Sequence, residues 1–302
     1  MSKHIPINPN NVSSKHKCSP NVSFTDGSCF TLPVLLAMAT HWNYKKLARQ
    51  SIEPDSETES NSLELIEFNN TTTKSELLSR FLKYLPKCQS CWLNEPIFRD
   101  FDNDDFKHNT FRPNGPRQWQ NNWLSSIDIT NVIKQYENKS PEFMFLGTHP
   151  INVDELKIPH VSNFCPSRFK NKTKFGIVHN TARSDQPGEH WIATYVDTEK
   201  NAIWFFDSAG KEPPKHVVDL MIRCISHQLN HRKKYKDLDV WFNPVLHQND
   251  NHSCGIYAIN FILRSLRGVP FEKTAMNDIF RGDEMDKCRD VFFRDHYLKN
   301  KR

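Results

Sequence analysis

No run in this 302-residue chain approaches the roughly 18 consecutive apolar side chains that a bilayer-spanning helix needs. The opening Met1-Ser2-Lys3-His4-Ile5-Pro6-Ile7-Asn8 lacks the apolar centre of a secretory signal, so the expectation is a protein without a membrane span that stays in a cytosol or its equivalent. Cysteine is scarce too. Eight in 302 residues do not make the dense disulfide framework of small exported domains, and in a chain that is not exported the thiols are expected to stay reduced. For the same reason the glycosylation-type tripeptides Asn11-Val12-Ser13 and Asn171-Lys172-Thr173 carry no weight. No internal repeat is visible, which sets solenoid architectures aside.

What is present is an ordinary globular composition, 37% apolar and 25% charged, with enough length for one large domain or two small ones. The net charge of +5 is modest, but basic residues gather around Lys45, at Lys170 to Lys174, at Arg232 to Lys236 and at Lys299 to Arg302. Such runs suit nucleic acid or an anionic capsid surface, although ordinary solvated faces are the plainer reading.

Residues 1 to about 30, rich in Asn, Ser, Pro and Lys, read as an arm that folds only against something else. Leu32, Leu35, Leu36 and Ala39 then repeat at helical spacing, with Pro33 suited to a first turn. Acidic Ser51 to Ser62 reads as a linker. A second helix follows, with Thr73 and Glu76 placed as a capping box and Leu77, Leu78, Phe81, Leu82 and Leu85 on one side. These elements make residues 1–110 an N-terminal arm and helical region, and leave 111–302 as a second domain. There, short strand-type runs begin: Phe143 to Leu146, Phe175 to Val178, Trp191 to Val196, Ile203 to Phe206 and Val240 to Phe242. Helices are predicted over Ile127 to Glu137, from Pro214 to about His231, and from Cys254 onward with Ile259, Ile262, Leu263 and Leu266 inward. The pattern is an α+β domain with helices around a short mixed sheet.

Within it one set of residues suits nucleophilic catalysis. Cys254 follows the turn-prone Gln248-Asn249-Asp250-Asn251-His252-Ser253 and opens an apolar helix, where the dipole and free N–H groups favour a thiolate. Gly255 beside it leaves room for a substrate carbonyl to approach the backbone. His190 opens the strand Trp191 to Val196 and Asp207 ends the next, so a hairpin pairing would bring carboxylate to imidazole. Gln248, six residues before Cys254, would share an oxyanion with the Cys254 N–H. Taken singly, each residue has a plainer reading: a buried helix-start cysteine, a turn aspartate bonded to Ser208 and Gly210, an exposed glutamine. The order and spacing of the four together favour catalysis.

Gly188-Glu189-His190-Trp191, Phe205-Phe206-Asp207-Ser208 and Gln248 to Gly255 resemble the His, Asp and Gln–Cys blocks of the SUMO-specific and adenovirus-type cysteine proteases, in the same chain order. Trp123-Leu124-Ser125-Ser126 resembles the Trp-Leu block that opens the SUMO-specific catalytic domain, with Ser126 departing where those enzymes usually carry an acid. The resemblance covers roughly residues 117–275. It implies an adenain-like, SUMO-protease-like fold, a protease domain over 111–302, and Trp123 and Trp191 as walls of a tunnel that admits only Gly-Gly or a similar small pair, the plainer reading of Trp191 being a core strand residue. Gly27-Ser28-Cys29-Phe30 and the compact helical piece behind it look similar to the polyprotein-processing proteases of large nucleocytoplasmic DNA viruses, that of African swine fever virus among them. The expected substrate is then a viral structural polyprotein, cut at assembly sites in host cytoplasm and in the virion; the alternative is a ubiquitin-like conjugate.

Other readings compete. Cys88 and Cys91 form a CxxC that, with Cys18 and Cys29, would complete a four-sulfur zinc site, although Trp92-Leu93 suits packing better and no metal or cofactor is expected. Cys165, Cys224 and Cys288 read as structural. His179, His247 and His252 are further candidates for the base: His252 lies too near Cys254 along the chain to aim at it, and His247 lacks an evident carboxylate partner. A catalytically dead binding module and a DNA-binding protein are the remaining classes.

Overall fold

A computed structural model describes residues 17–52, 64–116, 123–232 and 237–294. Of the predicted linker Ser51 to Ser62, Ser51 and Ile52 still belong to a helix and 53–62 lie outside the described residues, as do 1–16 and the basic runs at 233–236 and 299–302. The described chain divides into two compact units between Arg112 and Pro113, where the sequence placed the boundary at 110.

The smaller unit is built from helix α1 (Leu32–Ile52), helix α2 (Lys74–Phe81) and short single-turn segments. The capping box at α2 is present: Thr73 Oγ1 accepts the Glu76 N–H and Glu76 returns a bond to the Thr73 N–H. Leu77, Leu78, Phe81 and Leu85 are buried as predicted, whereas Leu82 faces solvent. The centre is aromatic, with Phe30 stacked on Trp92 at 5.4 Å and meeting Phe111 edge-on at 5.1 Å. Residues 17–30, the described part of the predicted arm, fold against the rest of the unit. Cys18 and Ser19 are buried, and Ser19 N donates to Thr110 O at 3.0 Å.

The cysteine expectation needs correction in this unit. Cys18 is joined to Cys29 and Cys88 to Cys91, so neither four reduced thiols nor a four-sulfur metal site exists here. Folding of the chain carrying Cys18 against 110–112 sets its Cα 5.4 Å from that of Cys29, a proximity composition cannot show.

The larger unit centres on a five-stranded sheet in the order β1 (Phe143–Pro150), β2 (Lys174–Asn180), β3 (Trp191–Asp197), β4 (Ala202–Phe206) and β5 (Asp239–Phe242). All five predicted strands are present. The outer pairs are parallel and the two inner pairs antiparallel, so the sheet is mixed. Strands β2 to β4 are almost wholly buried because both faces are covered. One face packs Ala193, Tyr195, Trp204 and Phe206 against helix α3 (Ser126–Lys134) and helix α5 (Cys254–Leu266). The other packs Ile192, Val196, Ile203 and Phe205 against Val217, Leu220 and Cys224 of helix α4 (Lys215–Arg232).

Several basic side chains offered to nucleic acid are engaged internally. Lys45 pairs with Asp100, Lys174 with Glu142 at 2.8 Å, and Lys172 donates to the carbonyls of Pro141 and Phe143. Among the described residues no helix is long and apolar enough to cross a membrane.

Candidate active site

The hairpin β3–β4 brings His190 and Asp207 together. Ala193 pairs with Phe206, and continuing that register past the strand ends makes Asp207 and His190 diagonal neighbours, within side-chain reach. His190 Nε2 donates to Asp207 Oδ1 at 2.6 Å. Both residues are held in place from behind. The His190 carbonyl accepts the Thr181 N–H at 2.8 Å, and the Asn180 side chain accepts the N–H groups of Ala182 and Glu189. Asp207 N donates to Asn243 Oδ1 at 2.8 Å while Asn243 Nδ2 returns a bond to Asp207 O at 2.8 Å. Asp207 also makes the predicted turn, accepting the Gly210 N–H at 2.8 Å, with Gly210 at φ +70° pressed on the Val245-Leu246 backbone.

Cys254 is the first residue of α5, which is buried on every side from Cys254 to Ser265. Its thiol is in hydrogen-bonding contact with His190. Since Nε2 is spent on Asp207, Nδ1 is the ring nitrogen left for sulfur. Burial disfavours an imidazolium, but the bonds and charges of Asp207 and Cys254 outweigh it and raise the His190 pKa to about 9. The other histidines are placed differently. His179 is fully buried and pushed down to about 3; His247 is buried, bonded to Ala275 O at 2.8 Å and lowered by burial; His252 lies between Asp250 and Asp286.

The loop before Cys254 is organised by Asp250. Its Oδ1 accepts the N–H groups of His252 and Ser253, each at 2.8 Å, so that it caps the approach to the helix. Gly282 must lack a side chain, because a Cβ there would collide with the Asp250 carboxylate, and its N–H donates to Asn249 Oδ1 at 2.9 Å. Gln248 sits between Ser208 and Asp250: Ser208 Oγ donates to Oε1 at 2.7 Å and Nε2 donates to the Asp250 carbonyl at 2.9 Å. Asp250, Asn243 and Ser208 were not singled out from sequence. An Asp three residues before Ser253 is the one sequence signal by which such a cap could have been found.

Trp191 and Trp123 differ in setting. Trp191 is 9% exposed, and its Nε1 donates to the Leu124 carbonyl at 2.9 Å, tying the Trp123-Leu124 segment to β3. Trp123 is 45% exposed and free to meet a ligand. Gly255 faces the protein: a Cβ would come to 3.0 Å of Leu124 Cβ and 3.3 Å of Ile129 Cδ1, so packing accounts for its missing side chain. Chemically, a thiol touching an imidazole that is itself bound to a carboxylate is equipped for acyl transfer. No cluster of three or more metal-ligating side chains occurs among the described residues.

Comparison with known proteins agrees with this chemistry. Residues 167–302 match the Ulp1 protease family, C-terminal catalytic domain. A protein named as a thiol protease in Acanthamoeba polyphaga mimivirus is 30% identical over 285 residues, 91% of this chain and 92% of that one. A protein of African swine fever virus named SUMO-1 cysteine protease is 34% identical over 125 residues, 40% of this chain and 44% of that one. The crystal structure of the African swine fever virus protease superposes with a TM-score of 0.59 at 19% identity, covering 93% of this chain and 96% of that one, and so shares the fold.

Proposed function

The chain belongs to the Ulp1 protease family of cysteine proteases, and on that footing we propose that it is a thiol endopeptidase that cuts after Gly-Gly-type sequences in viral structural polyproteins during particle assembly. Cys254 is the nucleophile, His190 the base and later the acid, Asp207 the group that orients His190, and Gln248 the oxyanion donor. The observation that carries this reading is geometric: His190 is bonded to Asp207 at 2.6 Å and is in hydrogen-bonding contact with the Cys254 thiol, two partners that outweigh burial and raise its pKa to about 9.

The cycle begins with His190 taking the Cys254 proton, or with an ion pair already formed. The thiolate attacks the carbonyl carbon after a glycine, and the resulting oxyanion is met by the Gln248 amide and the Cys254 N–H. His190 Nδ1 protonates the departing amine, giving a thioester; His190 then takes a proton from water as hydroxide adds, the acid leaves as the Cys254 thiolate is expelled, and His190 returns its proton to the sulfur. Trp123, exposed beside the segment that Trp191 anchors, forms one wall of the groove for the glycine pair. The catalytic domain in this reading is the unit that follows Arg112, and the site of action is the assembly compartment in host cytoplasm and the virion.

A peptide vinyl sulfone ending in Gly-Gly, incubated with the protein and read by mass spectrometry, is expected to add to Cys254 and to no other thiol. A protein left unmodified, or labelled elsewhere, overturns the assignment. The name SUMO-1 cysteine protease borne by one viral relative favours a second reading, an isopeptidase acting on ubiquitin-like conjugates. Parallel assays on a SUMO fusion and on capsid precursors of the same genome separate the two.

A further inference from the structure

The Asp207-Ser208 dipeptide touches both halves of the site, since Asp207 binds the base while Ser208 binds the residue read above as the oxyanion donor. A carboxamide has nearly the same shape in both flips, so Gln248 needs something to decide which end carries the donor. At one end stand only acceptors, the Asp250 carbonyl at 2.9 Å and Asp250 Oδ1 at 3.2 Å, which the amide nitrogen satisfies and its oxygen would repel. At the other end Ser208 Oγ donates to Oε1 at 2.7 Å from a residue only 1% exposed. Ser208 fixes the backbone as well, because its carbonyl accepts the N–H groups of both His247 and Gln248 at 2.9 Å. Asp250 Oδ1 in turn accepts the Ser253 N–H, so the nitrogen end lies beside the residue preceding Cys254. The two amide hydrogens are shared between the two Asp250 acceptors, and the longer contact, to Oδ1 at 3.2 Å, is the one a developing oxyanion would draw away.

We infer that Ser208 is a positioning residue of the proteolytic reaction: its hydroxyl holds Gln248 in the flip that presents an N–H to the oxyanion. This rests on Gln248 being the oxyanion donor. Removing the hydroxyl leaves Oε1 without its buried donor and frees the amide to rotate, while the Asp207–His190–Cys254 contacts stay as they are.

The test compares two reactions of one thiol. Hydrolysis of a peptidyl-Gly-Gly aminocoumarin amide passes through an oxyanion; alkylation of Cys254 by iodoacetamide displaces iodide at a saturated carbon and does not. Ser208→Ala is expected to lower kcat by about tenfold, with KM and the alkylation rate each held within about twofold. Gln248→Ala is expected to lower kcat by about 10²-fold or more. In that background Ser208→Ala should cost less than about twofold more, because the two residues act as one unit. Ser208→Thr keeps the hydroxyl and should restore kcat to within about threefold, with urea unfolding checking that each variant is folded. Unchanged kcat in Ser208→Ala beside a crippled Gln248→Ala overturns the role of Ser208 and leaves Gln248 in place. Unchanged kcat in Gln248→Ala removes the oxyanion reading itself, and this inference with it. Alkylation slowed in step with kcat, or full additivity in the double variant, assigns Ser208 to general structure and also overturns the proposal.

Discussion

Residues 17–112 hold four of the eight cysteines, all joined in disulfides, while residues 113–294 hold the other four, all free thiols. The units that carry them are built differently. The smaller has no named strand among its described residues and closes on a cluster of aromatic rings, a modest core for which cross-links supply part of the stability. The larger covers both faces of a five-stranded sheet with helices and stands without cross-links. In that unit three free cysteines are buried, and burial alone does not make a thiol reactive. Cys224 lies in an apolar interface that pushes its pKa up to about 12. Cys254 is buried to a similar degree yet touches an imidazole, so the neighbour and not the exposure sets it apart.

The largest expected effect tests that distinction. Cys254→Ala and His190→Ala should each lower turnover of a Gly-Gly amide by on the order of 10⁵-fold, since members of a catalytic unit fail together. Full turnover in His190→Ala would break the contrast between Cys254 and Cys224. Next in size is Asp207→Asn, expected to cost about 10³- to 10⁴-fold in kcat by loosening the orientation of His190. It also moves the pH profile. Activity of the parent should fall as pH rises through about 9, where His190 loses its proton, and because Asp207 is one of the groups raising that pKa, the variant should lose activity at lower pH. The sign for stability is the same. A raised histidine stabilises the fold fully below its ordinary value of 6.5 and loses that contribution as pH rises through about 9. The gap between parent and variant in urea unfolding should therefore narrow over that window, and a gap that widened would place the charge elsewhere.

The smaller unit yields the next two effects. Phe30→Ala empties the centre of the ring cluster and should cost about 3–5 kcal/mol of its unfolding free energy. Reducing both links with dithiothreitol should cost at least about 3 kcal/mol, the share expected of the Cys18–Cys29 link with its sequence separation of 11, read as a shift of the denaturant midpoint. An unmoved midpoint would show that the aromatic core alone sustains the unit.

These contrasts also mark what the chain reveals before it is folded. The five strands and the helices around them were legible because their apolar runs repeat at the periods the backbone imposes, and the Thr73–Glu76 box because its spacing is local. The closeness of His190 and Asp207 was legible because hairpin register translates directly into proximity, whereas the approach of Cys254 to the same histidine was read only from the order and spacing of the blocks. Disulfide pairing was not, since it depends on the segment carrying Cys18 folding against 110–112. Nor were the contacts of Asn243 and Ser208, which reach across 36 and 40 residues of sequence to Asp207 and Gln248. Gly255 was read as a gap for substrate, whereas the space is filled by Leu124 and Ile129.

The smallest expected effects sharpen the comparison most, because the same device occurs in both units. Thr73 caps α2 through Glu76, and Ser125 caps α3 through Asp128, with Asp128 Oδ2 accepting the Ser125 N–H at 2.8 Å. Thr73→Ala and Ser125→Ala should each cost about 1 kcal/mol in unfolding free energy. Their kinetic consequences should differ. Ser125 directly follows Leu124, whose carbonyl holds the Trp191 indole and whose side chain packs on Gly255 beside Cys254. Loosening that cap lets Trp123 drift, so KM for a Gly-Gly substrate should rise a few-fold while kcat holds; Thr73→Ala should leave both constants alone. If Ser125→Ala lowered stability without moving KM, Trp123 would not be a wall of the groove, and specificity for small residues would have to come from elsewhere in the sheet unit.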